Sequence, residues 1–200
     1  MAYVGFTIRK RKLYEETSGN HSATKKNIMD AFWDTYCVKR IESITIKEIT
    51  DKAGYNRSTF YEYFKDVYDV LEQLERLILP DLSSHRDLDY LDESDLSKHL
   101  HQFVEAHKGY QNYYRVLLSS SGDLYFQYKM KEVFRPLLKM YFAYLGDNDT
   151  FTQDYKVEFA LSGFIMALCY GYGQENIPDM EQRVRLLWQF ICNGIIKRME

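Results

Sequence analysis

Arg57, Ser58, Thr59, Tyr61 and Tyr63 set five hydrogen-bonding side chains within seven residues. Their chemistry is recognition. An arginine offers a planar fork of donors that fits guanine edges, serine and threonine hydroxyls reach bases or phosphates, and tyrosine hydroxyls reach phosphates. If the run is helical, Phe60 and Phe64 point one way and the five polar side chains cover the rest. Ordinary exposed helix faces are built from Glu and Lys with few paired tyrosines, so this face reads as functional. Phe60 and Phe64 read as core.

The elements that must position this face are legible upstream. Ile46, Ile49 and Ala53 recur at i, i+3, i+7 and put one apolar stripe on a helix of about two turns, too short to stand alone. Thr45 occupies its N-cap position and Gly54 the place where the chain must leave with positive φ. Asn56 is placed to cap the next helix, and Tyr55 precedes it where a hydrophobic staple would sit. Two short helices joined by a glycine turn make a helix-turn-helix. Thr45, Lys47, Asn56 and Lys65 join the five side chains above as the candidate DNA-binding set.

Composition narrows the class. The chain has 200 residues, 46% of them hydrophobic, with three prolines and ten glycines, which argues for a compact helical protein over a disordered one. It holds no run of eighteen apolar residues, and Met1 to Lys12 lacks an apolar signal core, so the expectation is a cytoplasmic protein with no membrane span. Cys37, Cys169 and Cys192 show no CxxC spacing and read as thiols without a disulfide framework or a zinc knuckle. The net charge of −3 hides an asymmetry: residues 1–65 carry +4 and residues 66–200 carry −7. The basic end is the one with the helix-turn-helix, as phosphate contact demands.

Residues 1–22, with the run Arg9-Lys10-Arg11-Lys12, read as a flexible basic arm; a solvated tail is the plainer account and a reach into a DNA groove the alternative. A first helix is expected from Ser22 or Thr24 to about Lys39, with Ile28, Ala31, Phe32, Thr35 and Tyr36 on one face. A longer helix should run from Val67 to Pro80, and another from Asp92 or Ser94 to Gly109, with Leu96, Leu100, Phe103, Val104 and His107 inward. Then follow a short aromatic helix over 110–119, a long one over 123–145 kinked at Pro136, an apolar one over 152–172, and a last one opened by Pro178 and reaching about Arg198. The expectation is an all-α chain of about nine helices: arm 1–22, a three-helix helix-turn-helix head over 23–68, and a helical regulatory and dimerisation domain over 69–200.

The run TIKEITDKAGYNRSTFYEYFK resembles the helix-turn-helix of TetR/AcrR-type bacterial transcriptional regulators, through Thr45, Ala53-Gly54, Asn56, Ser58-Thr59, Phe60, Tyr61, Tyr63 and Phe64. The motif resemblance covers roughly residues 24–71. It implies a homodimer with two heads in successive major grooves of double-stranded DNA, a ligand cavity in the second domain, and dimerisation through the last two helices. One position departs from the pattern: the family commonly carries a phosphate-gripping Lys at the start of the fourth helix, where this chain has Val67. Lys65, Arg9 to Lys12, Lys25 or Lys47 would have to carry that load.

Beyond the head, Ala160, Gly163, Ala167 and Gly171 form a stripe of small residues that lets another helix approach, from the same chain or from a second copy. With Leu187, Trp188, Ile191 and Ile195 of the last helix they make the candidate dimer interface. The middle helices are rich in aromatics, and Phe103, Tyr110, Tyr113, Leu117, Tyr125, Phe134, Phe164 and Met166 are the candidate walls of a pocket for an unknown small-molecule effector, although aromatics at helical spacing more often form plain core. His99, His101 and His107 suggest no metal site, since 99 and 101 face different ways and no Cys or clustered carboxylate completes a set. No phosphate loop, nucleophile elbow or Ser/His/Asp order appears, so neither an enzyme nor a cofactor is expected. The sequence thus points to a ligand-responsive DNA-binding regulator, a repressor that binds a palindromic operator as a homodimer. The alternative is a helical sensor or adaptor with a degenerate head, favoured slightly by Val67 and the acidic body.

Overall fold

The computed structural model describes residues 20–79, 101, 104–105, 108–119, 122–146, 149–174 and 178–193, with side chains from residue 23 onward. Expectations that fall on Arg9 to Lys12, Leu96, His99, Leu100, Phe103, His107 and Ile195 lie outside the described residues.

Eight α-helices are described: α1 Asn20–Tyr36, α2 Ile46–Ala53, α3 Arg57–Tyr63, α4 Val67–Ile78, α5 Gln111–Leu117, α6 Leu124–Tyr144, α7 Thr150–Tyr172 and α8 Met180–Asn193, with no strand among the described residues. None of these helices is long and apolar enough to cross a membrane. The chain divides into two compact units, Met1–Arg76 and Leu77–Glu200.

In the first unit, α1 buries Ile28, Met29, Ala31, Phe32, Trp33 and Thr35. Ile44, Ile49, Phe60, Phe64, Val67, Val70, Leu71 and Leu74 join them in that unit's apolar interior. α1 ends at Tyr36, three residues before the expected stop. The buried Thr35 hydroxyl donates back to the Ala31 carbonyl at 2.9 Å, and the amides of Val38 and Lys39 both turn onto Thr35 O. Such back-bonding by a β-branched residue suits a helix end. The helix is already formed at Asn20, ahead of the expected start.

In the second unit, α7 packs on α6 and α8, burying Val157, Ala160, Leu161, Ile165 and Leu168 against Met130, Phe134, Leu137, Leu138, Tyr141, Val184 and Trp188. Asp123 and Asp149 cap α6 and α7, accepting from the amides of Tyr125 at 2.7 Å and Thr152 at 2.9 Å. The helix of α6 runs through Pro136. Pro178 does not open the last helix. The Asp179 carboxylate accepts from the Gln182 amide at 2.8 Å, so α8 begins at Met180.

Candidate nucleic-acid interface

The turn between α2 and α3 is built by three local devices, each visible in the sequence. Thr45 is extended, at φ −109° and ψ 147°, and its Oγ1 accepts from the Glu48 amide at 3.2 Å. Gly54 sits in the left-handed region at φ 78° and sends its own N–H to Thr50 O, which closes α2. Any side chain there would be strained. Asn56 is extended and accepts from the Thr59 amide at 2.9 Å, which opens α3.

Tyr55 acts differently from a hydrophobic staple. Its hydroxyl accepts from Asn27 Nδ2 of α1 at 3.1 Å, and hydrogen bonds from Thr24 and Asn27 hold its phenol below its usual pKa. The turn is therefore tied to α1 by a polar contact.

Phe60 and Phe64 lie in the interior with ring centroids 5.5 Å apart, so the other side of α3 faces solvent. Arg57 and Ser58 are exposed, Tyr61 is 59% exposed, and Thr59 and Tyr63 are half-buried. Tyr63 lends its backbone carbonyl to Gln73 Nε2 of α4 at 3.3 Å.

The two hydroxyls at the start of α3 are not open donors. Ser58 Oγ donates to Asn56 Oδ1 at 2.6 Å, and Thr59 Oγ1 donates to the same oxygen at 3.1 Å. With those O–H groups engaged, what each hydroxyl still has to offer a partner is acceptor lone pairs. Thr45 has the opposite arrangement. Its hydroxyl accepts the capping bond and keeps its own O–H to give, which suits a phosphate.

Among the basic residues, Lys26 pairs with Asp30 at 2.8 Å, Lys39 with Glu48 at 2.6 Å and Lys52 with Asp34 at 3.3 Å. Lys25 lies over the Phe64 ring, 5.7 Å from its centroid. Lys47 and Arg57 are exposed and enter no ion pair among the described residues. Lys65 is exposed, but its amide donates to Asp69 Oδ2 at 2.8 Å and the Asp69 charge answers part of its own. Burial pushes the Asp69 carboxyl up; the Lys65 amide, the Gln73 amide and the charges of Lys65 and Arg76 outweigh this and hold it below the usual carboxylate range.

Val67 is a core residue, 8% exposed at the first position of α4. Asp66 caps that helix by accepting from the Asp69 amide at 2.9 Å. The place where the resemblance expects a phosphate-gripping lysine is spent on packing.

The second unit sorts the other candidates. Leu117 and Phe134 are buried, Tyr110 and Tyr113 are half-buried and meet edge to face at 6.3 Å, and Phe164 is half-buried. Tyr125 and Met166 are on the surface, 61% and 59% exposed, so neither lines an interior wall. The sequence treated Tyr114 as one aromatic among many. Among the unit's described residues it is the most enclosed tyrosine, its hydroxyl bonded to Ile78 O and its ring 5.9 Å from that of Phe126, and burial pushes its phenol up.

The candidate dimer residues also divide. Ala160 and Trp188 are buried within the chain, Trp188 against Tyr141 at 5.5 Å, so neither is available to a second copy. Gly171 is approached by Arg183 of α8, whose guanidinium stands over the Tyr172 ring at 4.4 Å; a Cβ on Gly171 would come within 3.3 Å of it. The helix that the small stripe admits at that end belongs to the same chain. Ala167, Leu187 and Ile191 are half-buried, and Gly163 is exposed with open space at its Cβ position. Solvent instead meets Phe151, Tyr155, Phe159 and Tyr170 of α7, with Leu186 and Phe190 of α8.

Of the three histidines, His101 is the one among the described residues, and it does meet carboxylates: Glu105 one helical turn on and Glu181 of α8.

No protein-family model matches the chain, and no curated protein does. Among solved structures it is similar to the crystal structure of a TetR transcriptional regulator from Streptococcus agalactiae 2603V. The two share 21% identity over 86% of this chain and 94% of that one, with a TM-score of 0.61. The likeness establishes the fold, which is the all-α fold of TetR-type regulators.

Proposed function

We propose that this protein is a cytoplasmic DNA-binding transcriptional regulator that acts by binding and not by catalysis. It is a repressor, engages a palindromic operator as a homodimer, and lets go when a small-molecule effector binds its second unit. One observation carries the reading. The outer face of α3 holds Arg57 and Tyr61 exposed, with Lys47 and the free O–H of Thr45 on the neighbouring helix, while caps and buried phenylalanines fix the backbone beneath. In this arrangement Arg57 reads a base edge, Tyr61 and Thr45 take phosphates, and Lys47 and Lys65 supply charge.

Two such heads enter successive major grooves when they stand about 34–36 Å apart. The chain passes from the first unit to the second within α4. An effector that displaces α4 changes the head spacing and so favours the unbound state. Tyr110, Tyr113, Leu117, Phe134 and Phe164 remain the aromatic and aliphatic walls proposed for that effector, and the exposed apolar stripe of α7 is the surface proposed for the second copy.

The test is fluorescence anisotropy of the full chain on the duplex upstream of its own gene, over a salt series, with a scrambled duplex as control. Sequence-selective binding whose affinity falls steeply with salt is expected, because each phosphate contact releases counterions. Absence of selectivity at low salt, there and on neighbouring promoters, favours the adaptor reading, to which the buried Val67 lends its support.

A further inference from the structure

We propose that His101, Glu105 and Glu181 form a binding site for a divalent transition-metal ion of the zinc class, clipping the helical residues His101 and Glu105 to α8. His101 and Glu105 are four residues apart on one helical face, and Glu181 reaches them from the first turn of α8. One ligand atom from each lies within 4.8 Å of the others. Metal bonds of about 2.1 Å place tetrahedral ligand atoms roughly 3.4 Å apart. His101 Nδ1 and Glu181 Oε1 stand at 3.8 Å, too long for a hydrogen bond and a few tenths from that spacing. His101 and Glu105 are exposed and Glu181 half-buried, so small rotamer changes close the remainder.

The donor set defines the ion. One imidazole and two carboxylates suit zinc, cobalt or manganese better than calcium, which takes oxygens alone. A polar depression lined by Asp179, Glu181, Gln182 and Arg185 opens beside Glu181 and leaves room for water to complete the coordination shell. The incumbents are two side-chain cations: Lys108 pairs with Glu105, and Arg185 Nη2 with Glu181 Oε1 at 2.8 Å. A divalent ion competes with both side-chain cations, and affinity should rise when one is removed. The site stands whether or not the chain binds DNA.

The test uses the full chain freed of metal by a chelator, titrated with Co²⁺ by absorption and with Zn²⁺ against a chromophoric competitor. One ion per chain is expected. His101→Ala and Glu181→Gln should each weaken binding about tenfold or more, as ligand loss does, while Arg185→Ala tightens it and Cys37→Ser, which removes an exposed thiol, leaves it unchanged. Saturating Zn²⁺ should raise the melting temperature of the wild type and not of His101→Ala. No binding by the wild type, or equal binding by wild type, His101→Ala and Glu181→Gln, overturns the proposal.

Discussion

Ser58 donates its hydroxyl proton to the side-chain oxygen of Asn56 at 2.6 Å, and so has no free donor to give from the exposed face it stands on. Asn56 is the organiser of α3, holding the Thr59 amide and both hydroxyls. Asn56→Ala should cost about 1 kcal/mol of stability through the lost cap and weaken binding to every duplex, operator or not. Ser58→Ala should change operator affinity by less than about twofold, because the hydroxyl is already spent. Denaturant unfolding and anisotropy check the pair; a large loss of operator affinity in Ser58→Ala alone would show that the serine turns outward to the DNA.

Arg57 and Lys47 should fail in different ways. Arg57→Ala removes the fork of donors proposed to read a base and should cost about 1–3 kcal/mol of operator binding while relaxing preference at one position. Lys47→Ala removes a point charge, so it should weaken all duplexes alike and lower the salt slope by about one. Both side chains are exposed, and the melting temperature should hardly move. The two variants exchanging phenotypes would reverse the assignment of base and phosphate contacts.

Val67→Lys would place at the start of α4 the lysine that TetR/AcrR-type regulators commonly carry there, and the burial of Val67 predicts a penalty. Replacing a packed valine with a charged chain should destabilise the first unit by about 1–3 kcal/mol. Equilibrium unfolding of the variant is the check. A gain in DNA affinity at unchanged stability would mean that the position still opens onto a phosphate.

The head was legible because its determinants are local. Thr45 and Asn56 accept from amides three residues on, and Gly54 gives its own N–H to the carbonyl of Thr50, so residue type and spacing suffice. Orientation was the hard part. On α7 the small stripe through Ala160 and the aromatic stripe through Phe151, Tyr155, Phe159 and Tyr170 both recur at helical spacing, and periodicity alone does not say which side turns inward. Packing decides it: α6 and α8 cover Ala160 and Leu161, and the large rings are left outside. Contacts across sequence were equally hidden. Nothing near His101 announces Glu181, eighty positions away. The local bonds of the Ser58 and Thr59 hydroxyls to Asn56 Oδ1 were hidden as well, because residue type alone does not say which nearby acceptor a hydroxyl takes.

Acid should loosen the second unit through Glu158. Its carboxylate accepts from Lys131 at 2.6 Å, Arg135 at 2.8 Å and Ser162 at 2.9 Å, joining α7 to α6, and these bonds lower its pKa to about 2. A depressed carboxylate pKa contributes stability that is present above the unfolded value of 4.5 and is lost as pH falls toward about 2. Glu158 is about half exposed, so solvent screening keeps the effect small. Melting temperature followed from pH 6 downward should fall less steeply in Glu158→Gln than in the wild type; identical slopes would place the acid sensitivity elsewhere.

The surface proposed for a second copy is the exposed aromatic stripe on α7. Phe159 is 75% exposed, Tyr170 72% and Phe151 70%, and a row of rings held in water on one helix face has the composition of a covered surface. Gly163 lies on the same face with nothing beyond its Cβ position, which lets a crossing helix come close. Phe159→Arg should therefore give a monomer in sedimentation at concentrations where the wild type is a dimer, with little change in melting of the monomer, since the ring supports nothing inside the chain. Operator affinity should drop steeply with it, because one head alone meets half a site. Trp188→Arg makes the contrast: that ring is packed on Tyr141 inside the protomer, so its loss should unfold the second unit instead of dissociating a dimer. A Phe159→Arg protein that stays dimeric would move the interface to another face of the second unit.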